Sequence, residues 1–473
     1  MFRFSIVALL LIGHFISYAQ TNGKLVQGEA IVSFSQIDLL GFGIPAENGI
    51  DLHKIWYETL GSDGQLDTAS GLLILPQLTE LPPPIISHHG TTSPRTAIPS
   101  NQQSHFGEIF YGAFGFPVVV ADLLGMGESR GFHPYLHAAT QASASIDLYR
   151  AASDYAADLS VELGDQVFVS GYSQGGHAAM STLRALELDH ADEFEVLAAT
   201  PMSGPYNLSG TLRDEIAANE EYLFPAYLAY IAKGFQAAYG DIYEDVNELF
   251  KEPYASVVRP FDNQEDFTLG QLNDSLLILL NELEGASTPT ALFQEEFLTA
   301  MVALDTTNRI VAAIVDNDVY DWVPQTPTRL YYCEADEQVP FENAVFTDSV
   351  MTANGAPDIE AMSQGAGLDH GGCAFVAFPV SADFFRSVLV ASSTEKINEN
   401  LDISFFPNPT QEHIQWQYEG RVLSITVFDV QGKRILQEVG DKYELDVTDL
   451  RSGVYFLQIQ TTEGVSTQRF MKE

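Results

Sequence analysis

Basic side chains are scarce in this chain. Its 473 residues carry 22 Lys and Arg against 64 Asp and Glu, a formal net charge of −42. Neutralising nucleic-acid phosphates takes clustered cations, so a nucleic-acid partner is excluded. The same field repels anionic bilayer surfaces. Cysteine is reduced to Cys333 and Cys373, which allows one intrachain disulfide at most. Long apolar runs are missing beyond the N-terminus, so no stable membrane insertion is expected of the mature chain. Metal-binding patterns are also missing. Asp316, Asp318 and Asp321 cluster without the glycine and terminal Glu of a calcium loop, and the histidine spacing of a zinc site does not occur. What remains is an ordinary globular composition with 46% hydrophobic residues, which excludes disorder and collagen-like chains.

The N-terminus has the form of a secretory signal. Arg3 precedes an apolar core from Phe4 to Ile16, and Ser17-Tyr18-Ala19 puts small residues where a signal peptidase inspects them. Residues 1–19 are therefore expected to be cut away after Ala19. From there to about 390, compact apolar runs alternate with helical patterns. Ile85-Ile86-Ser87, Val118 to Ala121, Val167 to Ser170, Val196 to Ala198 and Leu330 to Tyr332 fit central strands covered on both faces. Helical stretches such as Ala142 to Leu159 and His177 to Leu188 lie between them. The fold class is α/β, with a mostly parallel, doubly wound sheet. Residues 211–322 break the alternation with amphipathic helical patterns only, and are expected to form a helical cap whose aromatics are mainly its own core. Residues 391–403 are polar and suit a linker. From 404 to 473 apolar residues recur every second position between turn signals at Gln431-Gly432 and Arg451-Ser452-Gly453, which predicts a small β-sandwich. That tail holds 10 acidic and 7 basic residues, so nearly all the negative charge lies ahead of it.

The sharpest motif is Gly171-Tyr172-Ser173-Gln174-Gly175, between the strand Val167 to Ser170 and a helical stretch. A strand–turn–helix setting is what a G-x-S-x-G nucleophile elbow needs. A serine nucleophile requires a general base and a carboxylate to orient it, following in the order acid, then His. Asp336, on the loop after Leu330 to Cys333, is the expected acid, with Glu334 its nearest rival. His370, on the glycine-flanked loop Gly367 to Cys373, is the expected base. The backbone N–H of Gln174 and that of Gly90 or Thr91 are the expected oxyanion donors. His88 and His89 are read as structural. The loop Asp122 to Ser129 is too irregular for a dinucleotide fingerprint, so no cofactor is expected.

On these residues the chain resembles the α/β-hydrolase superfamily, and within it the secretory lipase group of esterases. The closer likeness rests on His89-Gly90-Thr91, Gly171 to Gly176, Asp318 to Pro324, and the Asp336 and His370 loops. The resemblance implies a Ser173–His370–Asp336 triad that cleaves carboxylic esters through an acyl-enzyme. Because both triad loops converge there, Cys333 and Cys373 are a reasonable disulfide pair. The tail resembles the C-terminal sorting domain of the type IX (Por) secretion system. The match is carried by Phe406-Pro407-Asn408-Pro409-Thr410, Phe428 to Lys433 and Leu450 to Phe456. It implies recognition by that secretion machinery, passage across the outer membrane, and a released or cell-surface enzyme. Two other readings stay open: a serine peptidase on the same fold, and a non-catalytic surface binding protein.

Overall fold

The apolar runs become the middle of a nine-stranded sheet in the computed structural model, which describes residues 23–101, 106–397, 403, 405–418, 420–429, 433–440, 442–461 and 465–473. The expected signal peptide, the Gln431-Gly432 turn and residues 398–402 lie outside the described residues. The strands are β1 (Leu25–Phe34), β2 (Ile50–Leu60), β3 (Leu66–Pro76), β4 (Ile85–His88), β5 (Val118–Ala121), β6 (Gln166–Tyr172), β7 (Glu195–Met202), β8 (Thr328–Tyr332) and β9 (Ile359–Ser363). Their order is β1-β2-β3-β5-β4-β6-β7-β8-β9. Every pair from β5 through β9 is parallel, and β1, β2 and β3 complete one side antiparallel.

Strand periodicity sends alternate residues of the central strands to opposite faces. Ile86, Val119, Val167 and Val169 enter one core with the helices Ala138–Asp158, Gln174–Asp189 and Glu342–Asn354. On the other face Phe168 meets Phe116 edge-on, and the Ser170 hydroxyl bonds the Tyr111 hydroxyl of helix Phe106–Ala113 at 2.7 Å. Both faces are covered, so these strands could be read from their apolar runs.

After β7 the chain leaves the sheet for the helical cap, from Leu208–Ala218 to Arg309–Asp316. The cap has a core of its own, including Tyr230, Phe235, Phe250, Phe261, Leu276 and Met301.

The chain divides into two compact units, Met1–Ala382 and Asp383–Glu473. In the tail, β10 (Phe405–Phe406), β11 (His413–Trp416) and β14 (Glu444–Asp446) form one antiparallel sheet. A second holds β12 (Val422–Asp429), β13 (Arg434–Val439), β15 (Gly453–Thr461) and β16 (Val465–Lys472). Ile414, Trp416, Ile425, Val427, Leu457 and Phe470 share their core.

Three expectations are corrected. His370 is not on a loop: it is the first residue of the helix His370–Ile397. That helix also continues over 391–397, where a polar linker was expected. Its segment His370–Val390 is long and apolar enough to cross a membrane, with a mean hydropathy of 1.6, although no such stretch was anticipated after the N-terminus. A third of that segment is buried inside the fold. Cys373, Ala377, Phe378 and Ala382 are buried, and the buried Ser381 hydroxyl bonds Tyr111 beside the sheet.

Candidate active site

Ser173 stands between β6 and the helix Gln174–Asp189 with φ 61° and ψ −122°, a conformation L-residues rarely adopt. The turn exists because its flanks are glycine. A Cβ on Gly171 would strike the backbone of Gly175, and a Cβ on Gly175 would strike the carbonyl of His88. The Ser173 N–H donates to Met202 O at 3.0 Å, pinning the turn to β7. Gln174 is the first residue of the helix, so its N–H has no acceptor one turn back and points with the helix dipole toward the serine.

Asp336 follows β8 on a tight loop, where its Oδ1 accepts the N–H groups of Gln338 at 3.0 Å and Val339 at 2.9 Å. His370 Nδ1 lies 2.9 and 2.8 Å from the two oxygens of that carboxylate. A carboxylate only accepts, so Nδ1 carries the proton and Nε2 is left with its lone pair. The pair is enclosed, with side-chain exposures of 9% for His370 and 2% for Asp336. Glu334 points elsewhere, accepting from the Ser363 hydroxyl at 3.0 Å. The structure therefore joins Asp336 to His370. It does not bond the Ser173 hydroxyl to His370, although Tyr172 links the two segments: its ring centroid is 5.0 Å from the imidazole, and its hydroxyl donates to His370 O at 2.6 Å. Catalytic hydrogen bonds are often long without substrate and tighten on binding.

The strand β4 runs into His88-His89-Gly90-Thr91. A Cβ on Gly90 would stand 3.3 Å from Tyr172 O and 3.7 Å from Ser173 Cβ, so this backbone passes close beside the serine. His88 is structural: Nδ1 donates to Ser170 O and Nε2 accepts from the Thr182 hydroxyl, while burial pushes its pKa down to about 4. The disulfide joins Cys333, at the end of β8, to Cys373, three residues after His370, with the Cα atoms 5.8 Å apart.

With this geometry in view, the rice cell wall degrading esterase LipA from Xanthomonas oryzae is similar at 27% identity and a TM-score of 0.67, over 78% of this chain and 99% of that one. Lipase A from Candida antarctica in its closed state shares the fold, at 15% identity and a TM-score of 0.59, over 79% of this chain and 84% of that one. The chain has the α/β-hydrolase fold of these enzymes. Residues 404–473 match the family described as Secretion system C-terminal sorting domain, which indicates export. No curated protein matches the chain.

The hydrolase has a largely apolar chamber at Ser173, enclosing about 870 Å³ including its mouth. Thr91 and Gln174 border it from the catalytic body, Tyr227 and Ile231 from the cap. The cap is tied to the loop after β8 and to the loop after β4. Tyr227 donates to Gln338 Oε1 at 2.9 Å, and the Thr91 hydroxyl bonds that of Tyr135, whose ring stacks on Tyr230 at 4.3 Å. Among the described residues no group of three or more His, Cys, Asp or Glu could hold a metal ion. Asp318 instead accepts from Ser209 N–H and hydroxyl, at 3.0 and 2.6 Å, and Asp321 from Asn354 at 2.9 Å.

Several supporting residues were not legible in the sequence. Glu337 accepts the His370 N–H at 2.9 Å. Burial raises its pKa, but that bond and others outweigh burial and leave the carboxyl below its ordinary value. Asp369 caps the same helix by accepting the Gly372 N–H at 2.7 Å. His133 donates from Nδ1 to Leu124 O at 2.7 Å, leaving Nε2 to accept from the Gln174 side chain at 2.7 Å. Burial pushes the His133 pKa down to about 3, which keeps it a neutral acceptor. Only Asp369, an N-cap residue three positions before Gly372, carries a local signal.

Proposed function

We propose that this enzyme is an exported serine esterase in which Ser173 is the nucleophile, His370 the general base and Asp336 the orienting acid. The observation that carries the reading is the Asp336–His370 pair, which fixes the imidazole with Nε2 free to accept, on the segment that Tyr172 ties to the elbow. Ser173 Oγ attacks the ester carbonyl carbon as His370 Nε2 takes its proton. Negative charge then develops on the carbonyl oxygen, within reach of the N–H of Gln174 and that of Gly90 or Thr91. Collapse breaks the carbon–oxygen bond to the alcohol, which leaves with the proton from His370. Water, deprotonated by His370, attacks the acyl-enzyme, releases the acid and returns the proton to Ser173. Asp336 keeps the imidazole oriented and stabilises the imidazolium in both halves.

A fluorophosphonate probe tests the assignment. Wild type is expected to label on the peptide bearing Ser173, Ser173→Ala to remain unlabelled, and Asp336→Asn to lose about 10³–10⁴-fold in kcat. Absence of wild-type labelling overturns the triad, and preference for aminoacyl nitroanilides over p-nitrophenyl esters overturns the ester class. Export is read as two steps, signal cleavage after Ala19 and recognition of 404–473 by type IX machinery. Deleting 404–473 is expected to strand active enzyme inside the outer membrane; normal release of that truncated form counts against the route.

A further inference from the structure

The chamber at Ser173 has a thin inner wall. Leu212, Leu228, Ile231 and Ile314 line it, and the same four residues border a second, tight apolar gap inside the cap, with room for about one water-sized group. On its far side that gap meets Ala232, Leu249, Phe293, Phe297 and Ile310, and holds almost no polar surface. Phe293, Ala232 and Ile310 are buried in the cap core, so the far side of the gap is packed side chains. Dry apolar gaps of this kind lose contacts on one side and take up apolar groups when an entrance is made.

We propose that this wall limits the length of the apolar arm of the ester, and that the gap behind it is a latent extension of the binding site. The proposal rests on the esterase reading above and deepens it. The carbonyl must lie at Ser173 beside Thr91 and Gln174, so an acyl or alkoxy chain entering the chamber runs toward Leu228 and Ile231. There the side chains stop it. Ile231 is the natural gate: it is half-buried on the helix Pro225–Tyr239 and faces both spaces. One methylene in an apolar pocket changes specificity by roughly 10–200-fold, so a wall at this depth gives a sharp cutoff rather than a gradual decline.

The experiment measures kcat/KM for p-nitrophenyl acyl esters and for n-alkyl acetates of increasing chain length. Ile231→Ala is expected to raise the ratio of long-chain to acetyl-ester or short-alkyl activity at least about tenfold in whichever series occupies the chamber, moving the optimum by about two to four carbons. Adding Ala232→Leu, which fills the gap from within the cap, is expected to cancel that gain. If Ile231→Ala does not fold, Ile231→Val and Leu212→Ala carry the same comparison with smaller shifts. A chain-length profile identical to wild type in both series, or an equal loss at every length, overturns the wall. Wild type inert on every ester, or Ser173→Ala as active as wild type, overturns the esterase reading itself, so the two failures are distinguishable.

Discussion

Ser173 shows how a residue can be disfavoured by its own backbone and still be fixed. Its positive φ is imposed by β6, by Met202 O and by two glycines with no room for a Cβ, and local strain is tolerated where the surroundings over-determine it. The five-residue motif made this position legible. Glu108 was not legible, because its surroundings come from elsewhere in the chain. It is buried on helix Phe106–Ala113, with Ser87 Oγ 3.4 Å away, and burial pushes its pKa up to about 7 against the partial opposition of that bond and a backbone N–H. The folded state therefore keeps a proton that the unfolded chain releases above its ordinary value of 4.5. Between those two values wild type loses stability as pH rises. Glu108→Gln has no proton to lose. Its stability relative to wild type should increase by about 3 kcal/mol between pH 4.5 and 7 and then level off. Urea unfolding of both proteins across that range checks it, and a constant difference sinks the assignment.

Elements were legible in proportion to how far their environment was local. β5 matches its apolar run residue for residue, because both of its faces are covered. The hairpin β2–β3 and its neighbour β1 escaped that test. Their polar side chains find partners far along the chain: Lys54 at Glu128, Thr59 at Asp147, and His53 against Tyr155. β9 is an edge strand and only half-buried, so it lacks an apolar run. The helix His370–Ile397 was misread at its start because His-Gly-Gly suggests a loop. Glycine in a first turn is tolerated when the end is capped, and Asp369 and Glu337 satisfy two of its N–H groups. The disulfide then clips this helix to the end of β8, across a separation of 40 residues. In the chain-entropy picture such a closure stabilises by about 4 kcal/mol. Cys333→Ser with Cys373→Ser should lower the urea midpoint accordingly. It should also reduce kcat more than it raises KM, because the bond connects the Asp336 and His370 segments rather than the chamber. A double variant as stable as wild type contradicts this account.

At the scale of the whole molecule the charge of −42 acts as a term in stability. The described ion pairs show how thinly the cations are spread. Arg150 is shared between Asp147 and Glu193, Arg259 between Asp245 and Glu252, and Arg329 between Asp358 and Glu360. One guanidinium serving two carboxylates still leaves a net negative charge at each of these places. Folding gathers that excess into a smaller volume, so self-repulsion opposes the compact state. Added salt weakens the exposed pairs among these, such as Arg259 with Asp245 and Glu252, which are worth little each, and also screens the excess, which acts over the entire surface. The second effect should prevail. Because the screening length falls from about 10 Å at 0.1 M to about 3 Å at 1 M, most of the benefit should arrive by roughly 0.5 M. The enzyme's Tm is expected to rise by several degrees from low-salt buffer to that concentration, equally in NaCl and KCl, with relief of about 1–2 kcal/mol corresponding to such a shift. A flat or falling curve means the carboxylates are far enough apart that their repulsion is already negligible, and the charge would then be only a matter of solubility.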